Sequence, residues 1–226
     1  MKRWLFMVIV AVFSAQAKAQ EKEFFTGIFP ELSLTKNLND KQRLNFKLEH
    51  QSIFYERNSE KSNPQWTHYR TDIMGFYDRS VKPGFNLAVG LFHRFQENGD
   101  GNRIIQQANF LNRGRGFRVN HRFRTDQTFT KGEPFEFRFR YRLTFEIPLQ
   151  GLELDPGESY VLVQAESILS LKNESPDIEN RMAFSWGRYW SRKEKFEIGL
   201  DYRTDRYLTD GFRTRLWPKV SYFYNF

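Results

Sequence analysis

The sequence predicts an all-β fold, an antiparallel up-and-down transmembrane β-barrel, and three observations carry that prediction. The first is the stretch Phe135 to Ile147, which alternates without a miss. Phe135, Phe137, Phe139, Tyr141, Leu143, Phe145 and Ile147 are apolar, and Glu136, Arg138, Arg140, Arg142, Thr144 and Glu146 between them are polar or charged. A strand sends successive side chains to opposite faces, so this segment has one greasy face and one ionic face; a helix would smear both classes around its cylinder. The second is length. A strand of that size reaches roughly 43 Å and, tilted by about 40°, stands roughly 33 Å tall, enough to cross the hydrocarbon core of a bilayer. The third is recurrence: ten further segments carry the same alternation, and 17% of the residues are aromatic, which suits interfacial girdles.

The start of the chain reads as a signal peptide, residues 1–19, ahead of a single outer-membrane barrel domain, 20–226. Lys2 and Arg3 give the positive end, Trp4 to Phe13 an apolar core too short to span, and Ala17-Lys18-Ala19 a small-x-small cleavage site, with Ala15-Gln16-Ala17 as a second. Cysteine is absent, which excludes disulfide stapling and thiolate-bound metal. The formal charge of +8 loses Lys2, Arg3 and Lys18 with the leader and becomes +5. Its arginines sit inside alternating strands and not in a surface cluster, so no nucleic-acid partner is expected. A mean hydropathy of −0.68 is compatible with a barrel, whose strands give only alternate residues to lipid.

Taken in order, Phe24–Thr35 turns Ile28, Leu32 and Leu34 to one face, with Pro30 marking an edge, a bulge or a strand start. Arg43–Tyr55 opposes Leu44, Phe46, Leu48 and Phe54 to Asn45, Lys47, Glu49 and Gln51. Gln65–Arg79 sets Tyr69, Ile73 and Tyr77 against Arg70 and Asp72. After a Pro83-Gly84 turn, Phe85–Gln96 returns with Leu87, Val89 and Leu91 outward. Arg103–Asn112 is weaker, because Gln106 falls on its apolar face. Phe117–Phe129 follows the Gly114-Arg115-Gly116 turn, and after the opening stretch come Ser159–Leu171, Ile178–Trp190 and Phe196–Tyr207. Phe212–Phe226 ends the chain with Val220, Tyr222, Tyr224 and Phe226 on one face, a pattern that resembles the carboxy-terminal signal by which barrels are recognised for membrane insertion. That makes eleven segments. Bacterial barrels usually have an even count, so twelve strands are expected, with ten as the alternative.

The order Arg103, Gln106-Gln107, His121-Arg122-Phe123-Arg124, Arg138-Phe139-Arg140-Tyr141-Arg142, Glu166, Asn180-Arg181 and Phe223-Tyr224-Asn225-Phe226 resembles the family of unknown function DUF2490. The resemblance covers nearly the whole mature chain. It implies an exported barrel of a Gram-negative bacterium and no established activity, so no catalytic residue is carried over from it.

The polar parity gathers arginines in the lumen: Arg118, Arg122, Arg124, Arg138, Arg140, Arg142 and Arg181 are the expected anion-binding set, and acidic rows on neighbouring strands can meet them. The lumen is therefore expected to be either a salt-bridged filling or a narrow basic channel that passes or binds anions. The protein reads as a small channel or a structural membrane protein. Its partners would be outer-membrane lipid, lipopolysaccharide and, during insertion, the barrel-assembly machinery. The rival class is a lipid hydrolase or acyltransferase with a Ser/His site at the rim. His121 and His50 fall on the lipid-side parity, and His50 shares its face with Ser52. Strand neighbours two residues apart lie roughly 6.6 Å from each other, which predicts that this pair does not form a dyad by itself. No metal-ligand spacing or phosphate loop occurs, and no cofactor is expected. A soluble lipocalin-like cup would need a wet exterior, against the outward Phe, Tyr, Leu and Val belt.

Overall fold

The computed structural model describes residues 23–58, 62–97, 99–208 and 211–226; the expected signal peptide lies outside the described residues. Within them the period-two pattern becomes eleven strands: β1 (Glu23–Asn39), β2 (Gln42–Asn58), β3 (Ser62–Lys82), β4 (Phe85–Phe95), β5 (Gly101–Gly114), β6 (Phe117–Thr130), β7 (Glu136–Pro148), β8 (Glu158–Lys172), β9 (Ser175–Ser191), β10 (Glu194–Asp205) and β11 (Arg213–Asn225). Each pairs antiparallel with the next, and the sheet closes on itself as a barrel through β1 against β11.

That closure corrects the expectation of twelve strands. The eleven described strands leave the first and the last running the same way, so β1 and β11 meet in parallel, from Glu23↔Arg213 to Thr35↔Asn225. A parallel ladder is only slightly less stable per residue than an antiparallel one, so one parallel seam closes an odd barrel at small cost. The two mouths differ. At the turn mouth, β1–β2, β3–β4, β5–β6 and β9–β10 are joined by two-residue turns, and the Phe226 amide donates to the Thr35 carbonyl at 2.8 Å. That mouth also carries the long β7–β8 connection, residues 149–157, while the loop mouth carries the β4–β5, β6–β7 and β10–β11 connections, the short β8–β9 turn and the start of β1.

Parity assigns the faces. Phe46, Leu91, Phe139, Phe184 and Ile198 are exposed on the outside, while Asp72, Asp126, Arg140, Glu166 and Arg203 are buried within. Irregularities in β1–β3 bend this rule. The β2–β3 register runs Gln51↔Arg70 and then Ser52↔His68, so Tyr69 is an extra residue. This bulge turns Tyr69 inward beside Arg70, contrary to its expected apolar-face position. There it packs on the buried cluster of Phe25, Phe29, Ile53 and Trp217. A second internal cluster, Met74, Phe92 and Ile105, lies on β3–β5. At Gly27 the β1 backbone lies so close to β2 that a Cβ would stand 1.7 Å from the Ser52 carbonyl oxygen, so only glycine fits there.

Candidate functional site

Two carboxylates organise the lumen, Asp126 on β6 and Glu166 on β8. The arginines of β7 stand between them in steps of two residues, and the register Asp126↔Arg138 and Arg142↔Glu166 brings each row into reach. Asp126, fully buried, accepts from Arg138 and Arg140, each at 3.1 Å. Glu166, 4% exposed, accepts from Arg122 at 2.8 Å, Arg140 at 2.9 Å and Arg142 at 3.2 Å, and Arg181 lies 3.5 Å away. Arg181 also bonds Glu179 at 2.9 Å, Glu179 takes Arg215 at 2.8 Å, and Arg215 contacts Asp205, which is forked by Arg213. This continuous ionic chain lines the wall from β6 to β11.

A second network joins the fork of Arg94 to Asp72 at 2.7 and 2.6 Å, with Arg70 at 3.8 Å. In a third, Glu31 lies between Lys47 at 2.9 Å and Lys219 at 2.7 Å. The buried charges need such partners, because an isolated ion inside the wall would cost several kcal/mol.

The networks divide the interior. A cavity of about 560 Å³ opens at the turn mouth, reaching Thr35, Asn45, Glu146 and Asn225. At mid-height the space shrinks to about 60 Å³ between Arg94, Arg103, Arg122, Arg140 and Asp126. A cavity of about 250 Å³ follows toward the loop mouth, where seven arginines face four carboxylates, Glu136, Asp177, Glu179 and Asp205.

All seven sequence-predicted arginines face this interior. Arg122, Arg138, Arg140, Arg142 and Arg181 are held by Asp126, Glu166 or both, and Arg118 contacts Glu146. Arg124 has only a neutral acceptor, the Gln107 amide oxygen at 2.7 and 3.1 Å. The arginine left out of that predicted set is Arg103 of β5. It is 7% exposed and its guanidinium stacks 4.3 Å above the Phe92 ring. Among the described residues it has no carboxylate within 4 Å, and both its Nε and the buried hydroxyl of Thr128, its register partner, lack a protein hydrogen-bond partner. The signal was present: the polar face of β5, Arg103, Gln107 and Asn109, holds a cation and no acid.

Outside, His121 bonds the Tyr141 hydroxyl at 2.8 Å. Among the described residues no serine lies within hydrogen-bonding reach of it. At His50 the expectation fails. Its Nε2 lies 2.8 Å from Ser52 Oγ, its Nδ1 2.9 Å from Thr71 Oγ1, and the same Thr71 hydroxyl lies 3.0 Å from His68 Nε2. The roughly 6.6 Å spacing holds for the backbone, but the imidazole is long enough to lean back over it. Of the expected insertion signal, the Tyr222 hydroxyl donates to Glu194 at 2.9 Å and Tyr224 packs edge-on against Phe226. No cluster able to hold a metal ion occurs among the described residues.

A closed β-barrel with an apolar exterior and an ion-paired lumen is the class that fold and site define. Residues 26–212 match the family described as protein of unknown function (DUF2490), and the chain belongs to it. No curated protein and no solved structure matches the chain.

Proposed function

We propose that the protein is an outer-membrane β-barrel that is closed to bulk flow and holds a small multivalent anion at Arg103. The membrane reading is supported by the exposed apolar belt, by strands long enough to cross a bilayer and by the outward Tyr222, Tyr224 and Phe226 at the chain end. The belt would contact outer-membrane lipid and lipopolysaccharide, and the chain end would be read by the barrel-assembly machinery. The neck of about 60 Å³, space for about two waters, supports a closed barrel over the small channel.

One observation carries the anion reading. Among the described residues Arg103 is a buried guanidinium with no carboxylate within 4 Å and an unpartnered Nε, beside a cavity of about 250 Å³ in which arginine outnumbers acid seven to four. A phosphate or a dicarboxylate would supply the missing counter-charge through forked hydrogen bonds. Titration of the detergent-solubilised barrel with inorganic phosphate tests this by calorimetry. Saturable, salt-sensitive binding that weakens at least tenfold in Arg103→Met supports the reading; equal binding by both proteins overturns it. In planar bilayers the wild type is expected to be silent, and discrete anion-preferring steps would restore the channel.

A further inference from the structure

We propose that Ser52 and His50 form an ester-cleaving site on the outer face of the barrel, acting on the acyl esters of membrane lipid. The proposal rests on the outer-membrane reading for its substrate but not for its chemistry. Four polar side chains, His50, Ser52, His68 and Thr71, meet on the face that elsewhere carries Phe46, Leu48 and Ile73. With the His50 proton assigned to Nδ1, the hydrogen bonds run in one direction: Ser52 Oγ–H donates to His50 Nε2, His50 Nδ1–H donates to Thr71 Oγ1, and the Thr71 hydroxyl donates to His68 Nε2. His50 thus presents its basic nitrogen to the serine and is held in that tautomer by a positioning residue, Thr71.

Alternation alone puts His50 and Ser52 on this face of β2 and Thr71 on the same face of β3, and the irregularity at Tyr69 adds His68. The extra residue Tyr69 puts His68 and Thr71 on one face although they are three apart, and the shift between Thr26 and Gly27 leaves Phe54 extra on β2. Pairing with β1 skips from Ile28↔Ser52 to Glu31↔Glu49, so Pro30, with no N–H to give, stands opposite His50. Bulges recur beside active sites because they re-aim side chains. Gly27 has no Cβ where β1 crosses the Ser52 carbonyl, and Trp66, 71% exposed, stacks on Phe54 on the loop-mouth side. An outward polar cluster of the opposite kind exists on β5–β6, where the amides of Gln106 and Gln127 satisfy each other at 3.0 and 3.1 Å and the Thr125 hydroxyl donates to Gln106 at 2.6 Å; it holds no base, whereas the His50 chain joins an imidazole to a hydroxyl.

In the reaction Ser52 Oγ attacks the ester carbonyl carbon as His50 Nε2 takes its proton. The tetrahedral adduct expels the alcohol, which leaves with that proton, and an acyl-Ser52 remains. Water then attacks the acyl carbon, His50 again holding the proton. The fatty acid departs and Ser52 recovers its hydrogen. Ser52 is 2% exposed, so the ester reaches it by displacing the exposed ring of His68, which stacks on His50.

The test uses the folded full-length barrel, its folding verified by the heat-dependent gel shift. A fluorophosphonate probe is applied in mixed micelles and in vesicles, and the adduct is mapped by mass spectrometry. Fatty acid release is followed from phospholipid vesicles and, separately, from lipopolysaccharide-containing vesicles. The expected result is an adduct on Ser52, lost in Ser52→Ala and slowed about 10²–10⁴-fold in His50→Gln, with release from one lipid arm. Thr71→Val is expected to lower the rate and shift its pH profile, whereas Thr71→Ser restores both. A vesicle-bound, folded barrel with no Ser52 adduct overturns the site. An adduct in micelles with no vesicle association overturns the membrane reading and the lipid substrate while leaving the dyad.

Discussion

Neutralising Glu166 should cost the barrel more stability than neutralising a carboxylate that is ion-paired in solvent, and the structure sets the size of the effect. Glu166 faces four guanidinium groups, those of Arg122, Arg140, Arg142 and Arg181, and is 4% exposed. In Glu166→Gln the shape is kept, the charge is lost and one oxygen becomes an NH₂ group aimed at donors. Removing one member of a buried ion pair costs about 3–5 kcal/mol, because the partner is left uncompensated. With four partners the upper end applies, and an unfolding slope of about 3 kcal/mol per molar urea converts it to a fall in midpoint of roughly 1–2 M. The internal control is Glu133→Gln: Glu133 pairs with Lys172 at 2.7 Å, yet both side chains are 42% exposed. That pair is worth about 0–1 kcal/mol. Both variants would be refolded into lipid vesicles and unfolded in urea while tryptophan fluorescence is recorded. A midpoint for Glu166→Gln no lower than that for Glu133→Gln would refute the view that this carboxylate neutralises the lumen.

Trp217→Ala removes the largest fully buried side chain and is expected to cost about 3–5 kcal/mol in the same assay. Gly27→Ala forces its new methyl onto the Ser52 carbonyl, so the folded fraction should fall and the Ser52 adduct with it; wild-type behaviour in both readouts would contradict the close approach. Replacing Asp126 and Arg140, an ion pair that lines the neck, together by alanine widens the neck with no change in net charge, and planar bilayers should then show conductance that the wild type lacks. Deleting Phe226, whose amide donates to the Thr35 carbonyl, should slow assembly into vesicles more than it lowers final stability.

The strands and their faces were legible because side-chain period two needs no knowledge of neighbours. Phe135 to Ile147 shows this in full, and the eleven segments of the sequence correspond to the eleven strands of the described residues. What was not legible depends on relations between strands. The closing partner of β1 is set by the circumference of the sheet, so the even count was an analogy and not a reading. Tyr69 reads as apolar-face by counting, but a bulge adds one residue and reverses the parity after it. The unpaired state of Arg103 follows from register as well: whether an acid on β4 or β6 stands at its height cannot be counted along β5. His50 and Ser52 were correctly placed on one face, and backbone spacing then gave the wrong distance because the imidazole reaches where the Cα does not.

These departures share a physical cause. Where the wall keeps strict alternation, as in β6 to β8, charges fill the inside and apolar groups cover the outside. On β3 the bulge adds Tyr69 to an internal aromatic core of Phe25, Phe29, Ile53 and, from β11, Trp217, which alternation already places inside, and it brings His68 onto the outer face beside His50 and Thr71. The two inversions belong together. Polar side chains on a lipid-facing surface are costly, and the same bulge that brings His68 outward adds Tyr69 to the aromatic core behind the cluster, where Phe25 and Trp217 lie edge-to-face at 5.7 Å. Burying such aromatics contributes several kcal/mol, enough to offset a cluster whose hydrogen bonds are already internal. The bulge that completes the His50, Ser52 and Thr71 cluster with His68 is therefore the strongest structural reason to look for chemistry at Ser52 rather than at His121, which sits on a regular stretch of β6 paired to tyrosine.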